Sequence, residues 1–366
     1  MRIAQVANFV TPTSGGLRTT LRHLAEGYVA AGHEVMQIVP GRSYKVCRSD
    51  SLAQVQLPGP MVPGIGYRLI LDIQRVRDVL ASFGPDALEV HDRTTLRGLG
   101  AWASASGVRS CVFSHERLDR VVRQWLPRML RPYGMVDRSN AYLAGTYDSV
   151  VCATEWAAQE FHRVGADNVR IIPLGVDSAA FTPRAFPRGD GQVRLIMTSR
   201  LSREKRPDLA LDTVEHLMRR GVPVHLDVCG VGPMFASLRQ TSKGLPVTWH
   251  GHVGNRARLG ELMAQADVAI APGPIETFGL AALEAMACGT PPVVNRNSAL
   301  PSLVGSAGRS APSSGWCFAD QVEDLLRTPE TTRRREARHQ VEALTWERTV
   351  QGFLDLHAPG SERLAA

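Results

Sequence analysis

The feature that most narrows the fold of this chain is a strand–helix alternation that runs, stops once, and starts again. Apolar runs at Arg2–Asn8, Glu34–Val39, Ala87–His91, Val108–Ser114, Ser149–Ala153 and Val169–Ile172 read as strands. Between them, Leu17–Ala31, Arg68–Ser82, Leu96–Ala105 and Trp156–Val164 carry helical spacing. Such alternation predicts a parallel, doubly wound sheet. The stretch Phe181–Gly191 is rich in Pro and Gly, has no period and reads as a linker. Strands at Val193–Ser199, Val224–Val228, Val247–His250, Val268–Ala271 and Pro292–Val294 then alternate with helices at Pro207–Arg219, Met234–Ser242, Arg256–Ala266 and Phe278–Met286. The expected organisation is an α/β chain of two Rossmann-like domains, 1–176 and 193–345, joined by a linker at 177–192 and facing across a cleft. From Gln321 the chain is polar and helical. Residues 346–366 form a C-terminal helix and tail, for which a return to the first domain is one open course, with Ser361–Ala366 frayed. Ligands in such folds bind at the carboxyl ends of the strands.

Composition sets limits on partners and compartment. A chain of 366 residues exceeds one core. Its net charge of +7 attracts phosphates without choosing among nucleotide, nucleic acid and lipid headgroup. The six cysteines form no Cys-x-x-Cys pair, and Cys111, Cys152 and Cys229 lie in strand-like runs, as buried thiols of a reducing compartment do. Neither a signal peptide nor a membrane-length apolar run is evident, so a soluble cytoplasmic protein is expected, with peripheral attachment to the inner face of the membrane left open.

Two acids mark the second domain. Glu276 precedes the Phe278–Met286 helix and Glu284 lies inside it, with Gly289 and Pro291 closing the unit. Eight helical steps amount to roughly 12 Å of rise. Two carboxylates so spaced suit the two ends of a nucleoside-diphosphate sugar, with the amides at the helix mouth on the diphosphate. The plainer alternative is an amphipathic helix with two solvated acids. Arg200 and Lys205 follow the first strand of that domain and form a cation pair fit for a diphosphate. Arg203 and Arg206 read as solvated loop.

In the first domain Gly15-Gly16 opens a helix directly after a strand, and the Gly16 amide can contact phosphate there. His115 ends an apolar strand and either meets a sugar hydroxyl or acceptor, or caps the next helix. His91 is a second candidate. Arg117–Arg131 interleaves arginines 117, 120, 123, 128 and 131 with Leu118, Val121, Val122, Trp125, Leu126, Met129 and Leu130. That pattern suits an anionic membrane surface, or a helix packed on the core with its arginines in water. Nucleic acid is not expected, since no recognised binding module accompanies the charge. Asp-x-Asp, clustered Cys/His and Gly-x-x-x-x-Gly-Lys-[Ser/Thr] patterns are absent, so a metal site and a P-loop are not expected.

These residues resemble the retaining glycosyltransferases of GT-B fold, family 4. The likeness spans Gly15-Gly-Leu-Arg18, Ala31-Gly-His-Glu-Val35, Ile172-Pro-Leu-Gly-Val-Asp177, Arg200-Leu-Ser-Arg-Glu-Lys205 and Glu276-Thr-Phe-Gly-Leu280 through Glu284 to Pro291. It departs at Pro272-Gly-Pro-Ile-Glu276 and at Asn297-Ser-Ala-Leu300. Within that family, Ser114-His-Glu-Arg-Leu-Asp-Arg120 and Ala271-Pro-Gly-Pro274 most resemble actinobacterial GDP-mannose-dependent phosphatidylinositol-mannoside α-mannosyltransferases.

By that resemblance Arg200 and Lys205 hold the donor diphosphate, Glu284 the ribose and Glu276 the donor sugar, with Phe278, Gly279 and Leu280 at the donor. Gly16 contributes a phosphate contact and His115 is the active-site histidine of the first domain. The base lies near Gly230–Pro233 and Gly251–Gly254. The implied activity is metal-independent transfer of mannose from GDP-mannose to a membrane glycolipid, with no cofactor beyond the nucleotide sugar. A UDP-sugar hexosyltransferase on a soluble acceptor, a nucleotide-sugar 2-epimerase and a non-enzymatic docking module are the alternatives.

Overall fold

A computed structural model describes residues 1–11, 15–62, 66–125, 133–184 and 191–358. Thr13 and Ser14 of the first loop, Leu126–Arg131 of the basic stretch, residues 185–190 of the expected linker and Ser361–Ala366 lie outside the described residues. The chain divides into unit 1, Met1–Leu174 with Trp346–Ala366, and unit 2, Gly175–Thr345.

Unit 1 opens with β1 (Arg2–Val6), α1 (Gly16–Ala30) and β2 (Glu34–Gly41). Next come β3 (Lys45–Arg48), β4 (Leu52–Pro58), β5 (Met61–Val62), β6 (Tyr67–Arg68) and α2 (Ile73–Phe83). The unit continues with β7 (Ala87–Val90), α3 (Leu99–Ala105), β8 (Arg109–Ser114), α4 (Leu118–Trp125), α5 (Tyr133–Thr146), β9 (Ser149–Cys152), α6 (Glu155–His162) and β10 (Val169–Ile171). Among the described residues its main sheet has the order β10-β9-β8-β7-β1-β2-β4-β3, parallel throughout except for the antiparallel β3 edge. Central strands bury both faces, as Ile3, Ala4 and Val6 do on β1, which is why they read as continuous apolar runs.

Two expectations need correction here. The helix expected from Arg68 starts at Ile73, because Tyr67–Arg68 pairs with Met61–Val62 in a small hairpin and Asp72 caps the helix, its Oδ1 accepting from Arg75 N at 3.0 Å. The strands β3 to β6 were not anticipated.

Unit 2 contains β11 (Val193–Thr198), a 3-10 turn (Arg203–Lys205), α7 (Pro207–Arg219), β12 (Val224–Cys229), α8 (Phe235–Thr241), β13 (Val247–Gly251), α9 (Arg256–Gln265) and β14 (Val268–Ala271). It ends with α10 (Leu280–Ala287), β15 (Pro292–Asn295), α11 (Leu300–Val304), β16 (Arg309–Ala311), α12 (Gly315–Leu326) and α13 (Glu330–Val341). The parallel sheet order β13-β12-β11-β14-β15-β16 is the 3-2-1-4-5-6 of a dinucleotide-type fold. Its core gathers Leu195, Met197, Leu209, Val214, Leu226, Ile270 and Phe318. The last helix, α14 (Trp346–His357), packs on α1 in unit 1: His23 stacks on Trp346 at 4.4 Å, and any Cβ on Gly27 would meet Val350 at 2.3 Å. The helical tail read from Gln321 is thus the end of α12 followed by α13 and α14. Both sheets reverse their winding between the first strand and the strand following the third, that is, between β1 and β7 and between β11 and β14. These are the crevices where ligands of such folds bind.

Candidate active site

In unit 2 the loops after β11 and β14 leave neighbouring strands, so their side chains meet. The β11 loop carries Arg200, half-buried, then the 3-10 turn. Arg206 adopts φ +50° and caps the Pro207-led helix α7, its guanidinium pairing with Asp208 at 2.8 Å. Arg203 is exposed. Lys205 turns toward the β14 loop and donates from Nζ to Glu276 Oε1 at 2.7 Å, both side chains partly exposed.

The β14 loop is held from beneath. Asn295 Nδ2 donates to Pro272 O at 2.9 Å and to Ser313 Oγ at 2.8 Å, and Ala299 N donates to Glu276 O at 2.9 Å. The segment Asn297–Leu300, a departure from the family pattern, is therefore what anchors Glu276. Gly279 sits at φ +74°, and a Cβ there would stand 2.7 Å from Leu300 Cδ2, so glycine is required by both conformation and space. This left-handed residue delays α10 to Leu280. The expected start at Phe278 is two residues early, and Glu276 lies in the loop before the helix. The eight-step helical spacing between the two acids is corrected accordingly. Phe278 is buried.

Glu284, on α10, is nearly buried. Arg256 Nη2, at the start of α9, lies 3.4 Å from both Glu284 Oε1 and Asp177 Oδ2, and its guanidinium rests on the Phe181 ring at 4.8 Å. Arg256 was not foreseen. Asp177 ends the Ile172–Asp177 motif and Phe181 opens the expected linker, and both lie against Arg256 beside Glu284. The β12 loop closes on the β11 loop: Leu201 N donates to Val231 O at 3.1 Å, and a Cβ on Gly230 would fall 1.9 Å from Ser199 O. Gly230 N in turn donates to Gly251 O at 2.7 Å, joining the two loops expected near the base.

In unit 1, α1 begins at Gly16, with Gly15 at its N-cap, so the helix mouth faces the loop that follows β1. His115 follows β8. Its Nε2 lies 2.9 Å from His91 Nδ1, and its ring packs 4.0 Å from Phe113. Burial, with His91 beside it, lowers its pKa well below the ordinary histidine value. Arg117, counted in the basic stretch, is instead buried and paired with Asp119 at 2.8 Å, which Arg163 also contacts at 3.1 Å. Arg120 and Arg123 are exposed. Among the described residues no three His, Cys, Asp or Glu side chains gather as a metal site, and no helix is long and apolar enough to cross a membrane.

Two such sheets, with a cation–carboxylate pair at the switch point of the second, are the architecture of the GT-B glycosyltransferases. Sucrose-phosphate synthase from Thermosynechococcus elongatus shares the fold with a TM-score of 0.80 at 20% identity, covering 97% of this chain and 98% of that one. WaaG, a glycosyltransferase involved in lipopolysaccharide biosynthesis, does so with a TM-score of 0.75 at 17% identity, covering 98% of this chain and 100% of its own. Residues 180–339 match the family described as glycosyl transferases group 1, and residues 15–177 the glycosyl transferase 4-like domain. The GDP-mannose-dependent alpha-(1-6)-phosphatidylinositol dimannoside mannosyltransferase of Mycobacterium tuberculosis (strain CDC 1551 / Oshkosh) is 43% identical, with 97% of this chain and 95% of the relative covered. The MMP alpha-(1->4)-mannosyltransferase of Mycolicibacterium hassiacum is 26% identical, with 100% of both chains covered. The chain belongs to the group 1 glycosyltransferases.

Proposed function

We propose that this glycosyltransferase moves mannose from GDP-mannose to a hydroxyl of a phosphatidylinositol-mannoside glycolipid, with retention at the anomeric carbon. The observation that carries the reading is the meeting of Lys205 and Glu276 beside the start of α10. Donor and acceptor are supported by the mycobacterial relative, which is named for GDP-mannose and phosphatidylinositol dimannoside.

In this reading Arg200 and Lys205 hold the diphosphate, and the amides of Phe278, Gly279 and Leu280 add the partial positive charge of a helix mouth. Glu284 takes the ribose hydroxyls and Glu276 those of the hexose. Arriving phosphates replace Glu276 as the partner of Lys205 and release that carboxylate for the sugar. From unit 1, the Gly16 amide serves a phosphate contact and His115 a sugar or acceptor hydroxyl. The bond from the anomeric carbon to the phosphate oxygen breaks as the acceptor oxygen bonds to the same face, its proton passing to the departing diphosphate. Arg200, Lys205 and the amides meet the charge that develops, without a metal ion or cofactor in the scheme. A glycolipid acceptor places the reaction at a membrane surface, where exposed Arg120 and Arg123 suit anionic headgroups.

Thermal unfolding with GDP, UDP, GDP-mannose and UDP-glucose tests the donor, since a ligand at a hundred times its Kd stabilises by about 2.7 kcal/mol. Stabilisation by the guanosine ligands, followed by mannose incorporation into phosphatidylinositol mannosides in vesicles, is expected. A response to uridine ligands alone, or an isomerised sugar nucleotide as product, overturns the reading.

A further inference from the structure

A buried ion pair in unit 1 lies beside the loop that carries His115. Arg93, in the turn after β7, and Glu160, on α6, are both buried and paired with each other. Arg93 Nη1 also donates to Ser114 Oγ at 2.8 Å and to Glu116 O at 3.0 Å, while its Nη2 donates to Asn140 Oδ1 on α5. Ser114 Oγ donates to Glu116 O at 3.0 Å, closing the link. Glu160 in turn accepts from Leu118 N at 3.2 Å and from Asp119 N at 3.3 Å, at the start of α4. Ser114 and Glu116 flank His115 in the chain, so one guanidinium grips both of its neighbours. The carboxylate paired with that guanidinium holds the helix that follows.

Arg93 is itself fixed from below. Asp92 Oδ1 accepts from Thr94 N at 2.8 Å and Thr95 N at 3.2 Å, which sets the turn, and Asn8 Nδ2 from the loop after β1 donates to Asp92 Oδ2 at 3.2 Å. The Phe161 ring lies against the guanidinium at 4.7 Å. Stability is a weak reason for such a set, because a buried ion pair is often no more stabilising than apolar residues of the same volume. What apolar residues cannot supply is direction. A planar guanidinium holds its donors at fixed angles, so the acceptors around it are fixed as well.

We propose that Arg93, locked by Glu160, is a positioning residue for His115: it fixes the backbone on both sides of that residue and so the point from which the imidazole leaves the strand. Arg93 and Glu160 act through the loop and touch no substrate. The effect on transfer rests on the role of His115 given above, whereas the hold on the loop does not.

Hydrogen exchange and turnover, both read on the full chain, separate these two parts. Arg93→Lys keeps a positive charge beside Glu160 but offers one nitrogen to the acceptors on Glu160, Asn140, Ser114 and Glu116. Exchange of the amides of residues 114–119 should quicken, while that of β1 and β11 stays as it was. The kcat should fall by about tenfold with the Kd for GDP held within about twofold. That fall should be absent when His115→Ala is already present, since two residues acting through one group are not additive. Unchanged exchange over residues 114–119 overturns the proposal, and so does a loss that is as large in the His115→Ala background as without it. So does an unchanged kcat in Arg93→Lys where His115→Ala is impaired. Quickened exchange together with a normal kcat in His115→Ala would overturn only the role of His115 in transfer. Should Arg93→Lys fail to fold, Ser114→Ala removes one link alone and should show the same pattern, with kcat lower by about threefold.

Discussion

Glu89 in unit 1 and Glu276 in unit 2 both stand near the carboxyl ends of central strands, yet their surroundings differ in kind. Glu89 is closed from water and divides its oxygens among Gln5, Tyr28, His91 and His357. Glu276 is partly exposed and meets Lys205. A carboxylate whose lone pairs are all committed inside the protein can orient its neighbours but has nothing left for a ligand. One that is partly open to solvent and paired with Lys205 keeps lone pairs a ligand can reach. The first kind builds a site and the second takes part in it.

The sharpest way to break the contrast is to open the enclosure of Glu89. Phe353, on the same helix as His357, is fully buried, and Phe353→Ala should lower stability by about 3–5 kcal/mol. The check is a denaturant midpoint shift at unchanged slope. Glu276→Ala should leave folding intact and reduce kcat by about a hundredfold, with GDP affinity held or improved, since Lys205 loses a competing partner. Calorimetry that found GDP binding weakened in step with turnover would end the distinction drawn here.

Glu284→Ala should cost about 1.5–3 kcal/mol of GDP binding, the range of hydrogen bonds to a charged group. Arg256→Met, which removes the group beside Glu284, should weaken binding by less. Gly279→Ala should destabilise unit 2 by about 1–3 kcal/mol through the contact with Leu300. Adding Leu300→Ala should relieve that contact but leave the φ +74° strain, so rescue should be partial in a double-mutant cycle.

Acid gives the gentlest test. At Asp119, as at Glu89, burial opposes charge and the partners outweigh it, here Arg117 and Arg163. Both folded values lie below the unfolded ones, so their stabilisation is complete above the unfolded value of about 4 and is lost as pH falls through it toward the folded value. The thermal midpoint should fall on acidification from about pH 4, and Glu89→Gln should flatten that fall.

The central strands of both sheets were legible because burial on two faces writes continuous apolar runs. The β3 edge was not: all four of its residues are exposed, so Lys45–Arg48 carries no burial pattern. Arg68-Leu-Ile-Leu-Asp72 mimicked a helix start until Asp72 capped it from outside. In unit 2 the cations and acids could be read because short loops follow the strands that hold them. The company of Glu89 could not, since Tyr28, Gln5 and His357 stand 61, 84 and 268 residues away and share no local pattern with it. Arg256 was missed for the same reason, its partners Asp177 and Glu284 being brought to it only by folding.

The chain leaves unit 1 after Leu174 and regains it at Trp346. On the ribosome, therefore, the domain begun first is finished last. Unit 2 has all of its residues while unit 1 still lacks the helix that covers Gly27 and pairs with Glu89. A premature stop near the end of the gene would spare Arg200, Lys205, Glu276 and Glu284 and strike the oldest part of the nascent chain, leaving buried Glu89 without its contact to His357.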